Sequence, residues 1–170
     1  MIHGYLLLPR LRIYGAPIFV HWSVGLFACL CLLWSWGSGA YGVIGLLCYL
    51  AIILLHEWGH AFVANRLGLR VLEVQLGFFH GLCLFQKPAD FLDEVRVVWG
   101  GVMAQFAVAA LVLLPLPLFE ERLGYYGPVV IFLGFFNLLL ACCNLLPGRA
   151  LDGGRAWKIF ALLWARRQRS

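Results

Sequence analysis

Long unbroken apolar runs constrain this 170-residue chain more than any other feature. They extend over Ile18 to Trp36, Tyr41 to Ala64, Val97 to Phe119 and Pro128 to Leu146. Each is near the 20 or so residues that a helix needs to cross roughly 30 Å of hydrocarbon. The chain is 63% hydrophobic and 12% charged, against about 45–50% and about 25% in soluble globular domains. The longest polar stretch, Lys87 to Arg96, is too short to bury a core of its own. The expected fold class is an all-α polytopic membrane protein with about four transmembrane helices, residues 1–170 forming a single membrane-embedded domain. The first run follows Arg10 and Arg12 and precedes Ser38-Gly39-Ala40, as a signal sequence would. It is longer than the 7–15 residues or so of a signal core, so it is expected to stay as a span. The apolar segment from Ala156 to Ala165 is too short to cross, and is expected to form a short interfacial helix with Arg166, Arg167 and Arg169 among the headgroups.

The net charge of +5 could suggest nucleic acid. Its distribution points to the lipid bilayer instead. Of the 13 Lys and Arg residues, all but Arg122 fall on one side of a four-span arrangement. The positive-inside rule then predicts a multi-pass protein of the plasma membrane with both termini in the cytoplasm, and no nucleic-acid partner.

Between the second and third runs the pattern changes. Val71, Glu73, Gln75 and Gly77 alternate with Leu72, Val74, Leu76 and Phe78, a period of two that predicts a strand. Phe79-His80-Gly81 reads as a turn and Leu82–Phe85 as a second strand, giving a membrane-associated β-hairpin. Strand edges left unpaired in lipid are costly, so the hairpin must pack on protein, lie at the interface or pair with a peptide. The six cysteines (Cys29, Cys31, Cys48, Cys83, Cys142 and Cys143) contain no C-x-x-C pair, and five lie in the predicted spans. They read as small apolar residues rather than a disulfide framework.

The second run carries His56-Glu57-Trp58-Gly59-His60. Residues four apart share a helix face, so His56 and His60 can hold one metal ion together. Glu57 can then reach a water on that ion. Zinc lowers the pKa of such a water to about 7, and a carboxylate can take its proton. A polar helix-packing cluster is the bland alternative. A haem pair fits less well, because two ligands on one helix cannot take opposite axial positions. Ionisable groups this deep in an apolar helix point to function by default.

Catalytic zinc uses three protein ligands and an open position. The end of the fourth run supplies Asn144-Leu145-Leu146-Pro147-Gly148-Arg149-Ala150-Leu151-Asp152-Gly153-Gly154-Arg155. Asp152 beside two glycines can approach a metal closely, and Pro147 ends or bends the helix. The segment emerges on the side of His60. A surface turn is the alternative for Asp152.

The combination of His-Glu-x-x-His in one span with Asn-x-x-Pro-x-x-x-Leu-Asp-Gly-Gly at the end of a later one resembles the site-2 protease family of intramembrane zinc metalloproteases. The likeness covers about residues 15 to 160. It implies His56, His60 and Asp152 as zinc ligands, Glu57 as general base and Asn144 near the substrate carbonyl. It also implies that the hairpin holds a membrane-spanning protein substrate as an added strand, and it leaves room for a regulatory membrane partner. Where the family often carries Ala-Gly-Pro-x-x-Asn, this chain has Gly100-Gly101-Val102-Met103-Ala104-Gln105. Gly100, Gly101 and Ala104 still form a small face for close helix packing. The PDZ-type and nucleotide-sensing domains frequent in the family are not expected.

His21 sits near the start of the first run, as an interfacial residue or one that gates the site. His80 at the hairpin tip reads as a turn residue or a plug over the metal. The tryptophans near span ends fit an aromatic belt, and Trp58 is expected to pack outward. Two non-protease readings compete. A non-enzymatic protein of the same fold would bind a partner helix, although every residue the chemistry needs is present. A transporter would need ionisable residues strung through the membrane, whereas these cluster at one depth.

Overall fold

The computed structural model describes residues 4–38, 40–78, 81–118, 126–148 and 151–168. The chain opens with strands β1 (Tyr5–Ile13) and β2 (Ala16–His21). Helices α1 (Trp22–Ser38) and α2 (Ala40–Arg66) follow, then β3 (Val71–Leu76), β4 (Gly81–Phe85) and α3 (Phe91–Leu113). A 3₁₀ turn at Leu116–Leu118 comes before α4 (Tyr126–Asn144), which is wound as a π-helix over Val130–Phe136. The short α5 (Gly153–Ala156) and α6 (Lys158–Arg167) close the chain.

The all-α expectation needs correction. Besides the anticipated hairpin, the N-terminus forms a second one, and the four strands make one sheet in the order β1-β2-β3-β4. Ile18–His21, read as the start of the first span, belong to β2. Ile13 pairs with Ala16 around Tyr14 and Gly15, both at positive φ. Such two-residue turns match the twist of antiparallel strands. Pro9 lies where the β1 register shifts, on an edge strand that can spare an N–H. β2 and β3 are parallel, so the chain leaves the sheet through α1 and returns through α2. Strict alternation in β3 also fails. A register shift between Val71 and Glu73 places Val71 and Val74 together on the buried face.

Three helices are long and apolar enough to cross a membrane, Tyr41–Arg66, Phe91–Leu113 and Tyr126–Asn144, and this is a membrane protein. In α1 the apolar stretch Trp22–Leu33 is shorter. α3 starts six residues before the apolar run does, because the Asp90 carboxylate accepts from the Leu92 N–H and caps it. Arg122, the one cation expected on the far side, lies outside the described residues, as do Phe79 and His80 of the expected turn.

The sheet packs over the end of α2. Ala16, Ile18, Val71, Val74 and Cys83 bury against Ala61, Ala64 and Val97. Glycines bring α2 and α3 together, since a Cβ on Gly59 would overlap the Gly100 carbonyl and crowd the Ala104 methyl. The small face expected from Gly100, Gly101 and Ala104 is thus in use. All six cysteines are free.

Candidate metal centre

One helical turn separates His56 from His60, and their rings meet edge to face at 4.6 Å. The two Nε2 atoms lie 3.0 Å apart. Asp152 Oδ2 reaches them from the start of α5, at 3.0 Å from His56 and 3.3 Å from His60. The far nitrogen of each ring is tied down. His60 Nδ1 lies 2.9 Å from the Val97 carbonyl oxygen, and His56 Nδ1 lies 2.9 Å from Gln105 Oε1. A carbonyl only accepts, so each Nδ1 donates and each neutral ring turns a bare Nε2 lone pair inward.

Three lone pairs therefore face one another, and Asp152 Oδ2 is buried with no donor. A cation resolves this arrangement. A triangle with these sides has its centre about 1.8 Å from each atom, within reach of zinc–nitrogen and zinc–oxygen bonds of about 2.0–2.2 Å. Gly101 makes the space, since a Cβ there would come within 2.5 Å of His60 Nε2 and 2.8 Å of His56 Cε1.

Asp152 is positioned by its neighbours. A Cβ on Gly153 would overlap the Leu145 carbonyl, so this turn must be glycine. Trp157 Nε1 donates to that carbonyl at 2.5 Å, and Trp99 Nε1 donates to Ala156 O at 3.3 Å. These two tryptophans do more than mark an interface.

Glu57 is 2% exposed, and its Oε2 has no hydrogen-bond partner. Its carboxylate lies against the Cα of Gly81, where any side chain would collide with it. The first residue of β4 thus crosses directly over the carboxylate. Cys83, two residues on, feels the same group: burial first, then the charge of Glu57, pushes its thiol up to about 12. This agrees with an unreactive, apolar cysteine.

The cavity around these groups has apolar walls from Ile52, Leu82, Phe85 and Leu140, with Asn144 and Arg155 as polar members. Asn144, expected near a substrate carbonyl, is thus present in the cavity. His21 is not among its described lining residues; its Nδ1 lies 2.7 Å from Ser23 Oγ and its ring packs on Tyr5. Trp58 packs outward on Phe62, as expected. Sequence reasoning gave Gly81 and Gln105 no role at the site and did not single out Asn137. The last two were visible as lone carboxamides in apolar runs, which in a membrane call for a partner.

No protein-family model matches the chain. Rip3 of Mycobacterium tuberculosis, provisionally named a zinc metalloprotease, is 33% identical over an alignment of 183 positions that takes in 94% of this chain and 44% of Rip3. The zinc metalloprotease MJ0392 of Methanocaldococcus jannaschii is 28% identical over 147 residues, 85% of this chain and 42% of that protein. The site-2 protease structure from Methanocaldococcus jannaschii superposes with a TM-score of 0.74 at 23% identity, covering 92% of this chain and 71% of that one. The chain shares the fold of that site-2 protease structure and is similar in sequence to these two proteins. It spans less than half the length of these two curated relatives. Its departure from the family's Ala-Gly-Pro-x-x-Asn falls at the site itself, because Gln105 holds His56.

Proposed function

We propose that the protein is an intramembrane zinc metalloprotease, hydrolysing a peptide bond within or near the membrane span of a substrate protein. The observation that carries this is the meeting of two imidazole nitrogens and one carboxylate oxygen within 3.3 Å, with the Glu57 carboxylate buried beside them in an otherwise apolar helix. His56, His60 and Asp152 would hold the zinc ion. When bound there, zinc would make a water ligand acidic and polarise the scissile carbonyl.

The chain's own residues supply the rest. Glu57 accepts the proton of the attacking water and returns it to the leaving amine. Its burial keeps bulk water from competing for that proton. β4 is an edge of the sheet and starts over Glu57. A locally unwound substrate segment paired to that edge would be held extended beside the base, and the β-hairpin thereby acts as a docking strand. Asn144, in the wall of the same cavity, would donate to the substrate carbonyl.

The reading includes a single membrane-embedded domain over residues 1–170, in a plasma membrane, with both termini cytoplasmic. The parallel β2–β3 pair supports a crossing by α1, since a helix that leaves the sheet must be matched by one that returns. That makes four crossings. A regulatory membrane partner is compatible with this architecture.

The test is zinc content together with cleavage. Purified protein should hold about one zinc per chain, lost in folded His56→Ala and Asp152→Ala variants. Glu57→Gln should keep the zinc and stop cleavage of a membrane-spanning model substrate. Full cleavage by Glu57→Gln refutes the mechanism. Reporter fusions at the two termini test topology: termini on opposite sides rule out the four-crossing arrangement, and two external termini rule out the cytoplasmic assignment.

A further inference from the structure

Two carboxamides are buried in the spans and are neither ligand nor base: Gln105 of α3, 1% exposed, and Asn137 of α4, fully buried. Burying such groups in an apolar setting costs free energy unless they bond. Both bond through one end, Asn137 by its Nδ2 and Gln105 by its Oε1, in a chain that ends on His56, while Asn137 Oδ1 is buried with no hydrogen-bond partner. Asn137 Nδ2 donates to the backbone carbonyl of Gln105 at 2.9 Å and to Leu133 O at 3.2 Å. Gln105 Oε1 in turn accepts from His56 Nδ1 at 2.9 Å.

We propose that Gln105 is the positioning residue that fixes His56 as an Nε2 donor, that Asn137 holds Gln105 in place, and that this pair sets the affinity of the site for its metal. The inference rests on reading the site as a metal centre. The two histidines are secured in different ways. His60 is oriented by a main-chain carbonyl, Val97 O, which side-chain substitution leaves in place. His56 is oriented by a side chain, and Gln105 is too buried for water to replace it. Without an acceptor at Nδ1, the His56 proton is freed to move to Nε2, where it would point at the metal. Orienting partners of this kind typically account for 10–100-fold in metal affinity.

Asn137 adds a second restraint. Its own N–H donates to Phe132 O and Gly134 O as the π-helix ends. Winding from i to i+5 shifts the angular position of every later residue from an α-helical course. The facing of Asn137 toward α3 therefore depends on the π turn. Through its carboxamide, α4 is bonded to α3 at the residue that holds His56.

Zinc affinity should be measured by chelator competition on the full chain in detergent, for wild type, Gln105→Leu, Gln105→Glu and Asn137→Leu. Gln105→Leu should bind zinc about 10–100-fold more weakly. Gln105→Glu keeps an acceptor and should stay within a few-fold of wild type. Asn137→Leu should fall between them. Nitrogen-15 histidine NMR of the zinc-loaded protein should show His56 protonated at Nδ1 in wild type and changed in Gln105→Leu, while His60 is unaltered. If Gln105→Leu does not fold, Gln105→Met, closer in shape, takes its place. Unchanged affinity and an unchanged His56 tautomer without the acceptor overturn the proposal, and so does a Gln105→Glu variant as weak as Gln105→Leu. A wild-type protein that binds no zinc overturns the metal-centre reading itself, which separates the two failures.

Discussion

Substituting Gly101 by alanine adds one methyl group at the point where both histidine rings lie against α3. The new Cβ would sit 2.5 Å from His60 Nε2, 2.7 Å from His60 Cε1 and 2.8 Å from His56 Cε1. Ordinary contact begins near 3.4 Å, so the rings or the helix must retreat by about 0.6–0.9 Å. The rings cannot simply swing away, because each Nδ1 is bonded to α3, at Val97 O and at Gln105 Oε1. Metal–ligand distances tolerate only about ±0.2 Å. A displacement several times larger, acting on two of three ligands, should weaken zinc binding by about 100-fold or more, on the scale that a 1 Å misplacement costs a reacting group. Overpacking should also lower the stability of the metal-free protein by about 1–3 kcal/mol. Gly25→Ala is the control: it is also helical, but nothing lies within 4 Å of its added methyl, and zinc affinity should not move. The assay is chelator competition at matched detergent, with a melting curve of the metal-free form to establish folding. Wild-type zinc affinity in a folded Gly101→Ala protein would refute the proposed placement of the ligands against α3.

Gly81→Ala should separate binding from turnover, because its methyl would strike the Glu57 carboxylate while leaving the ligands clear; zinc content should be unchanged and cleavage reduced about 10²-fold or more, and unimpaired cleavage would contradict the position of β4 over the base. Trp157→Phe removes the N–H that holds Leu145 O, so zinc affinity should fall modestly and stability by about 1 kcal/mol; unchanged stability and unchanged zinc affinity would contradict this role for the tryptophan. Cys83, with its pKa raised to about 12, stays a neutral thiol well above the pH at which a free cysteine ionises. In a variant with Cys83 as its sole cysteine, alkylation at pH 8 should run about 10³-fold slower than for a free thiol. Its rate should climb as pH approaches 12, and rapid modification at pH 8 would show that β4 does not shield this face.

The parts of the molecule that could be read from the sequence are those whose meaning is local. His56, Glu57 and His60 lie within one helical turn, so their shared face follows from spacing alone. Asp152 was a candidate because flanking glycines and a preceding proline mark a turn where the backbone can approach closely, and the structure brings its carboxylate to both histidines. The N-terminal hairpin was not read, for a physical reason. Ile18–His21 run into α1 without a polar break, so the apolar run that signals a span swallows the strand before it. The evidence against a helix there was Tyr14-Gly15, a two-residue turn between apolar stretches, and it was weaker than the run beside it. The bulge in β3 was hidden likewise, because an inserted residue changes which side chains are buried without changing the alternation that marks a strand.

Gln105 and Asn137 show where reading a single element stops. Each is a polar residue on an apolar helix, which signals that it needs a partner but not which one. The partner depends on the relative phase of two helices far apart in sequence, and in α4 that phase is altered by seven residues of π winding that no periodicity announces. The same reasoning explains why a departure from the family pattern can fall at the candidate metal centre and still fit. What His56 requires of α3 is an acceptor within hydrogen-bond reach of Nδ1, and that requirement fixes a position in space rather than a residue type. A longer side chain meets it when the backbone that carries it is held at the right height. Asn137 bonds to the backbone carbonyl of Gln105, and so acts on the one variable that a change of side-chain length leaves open.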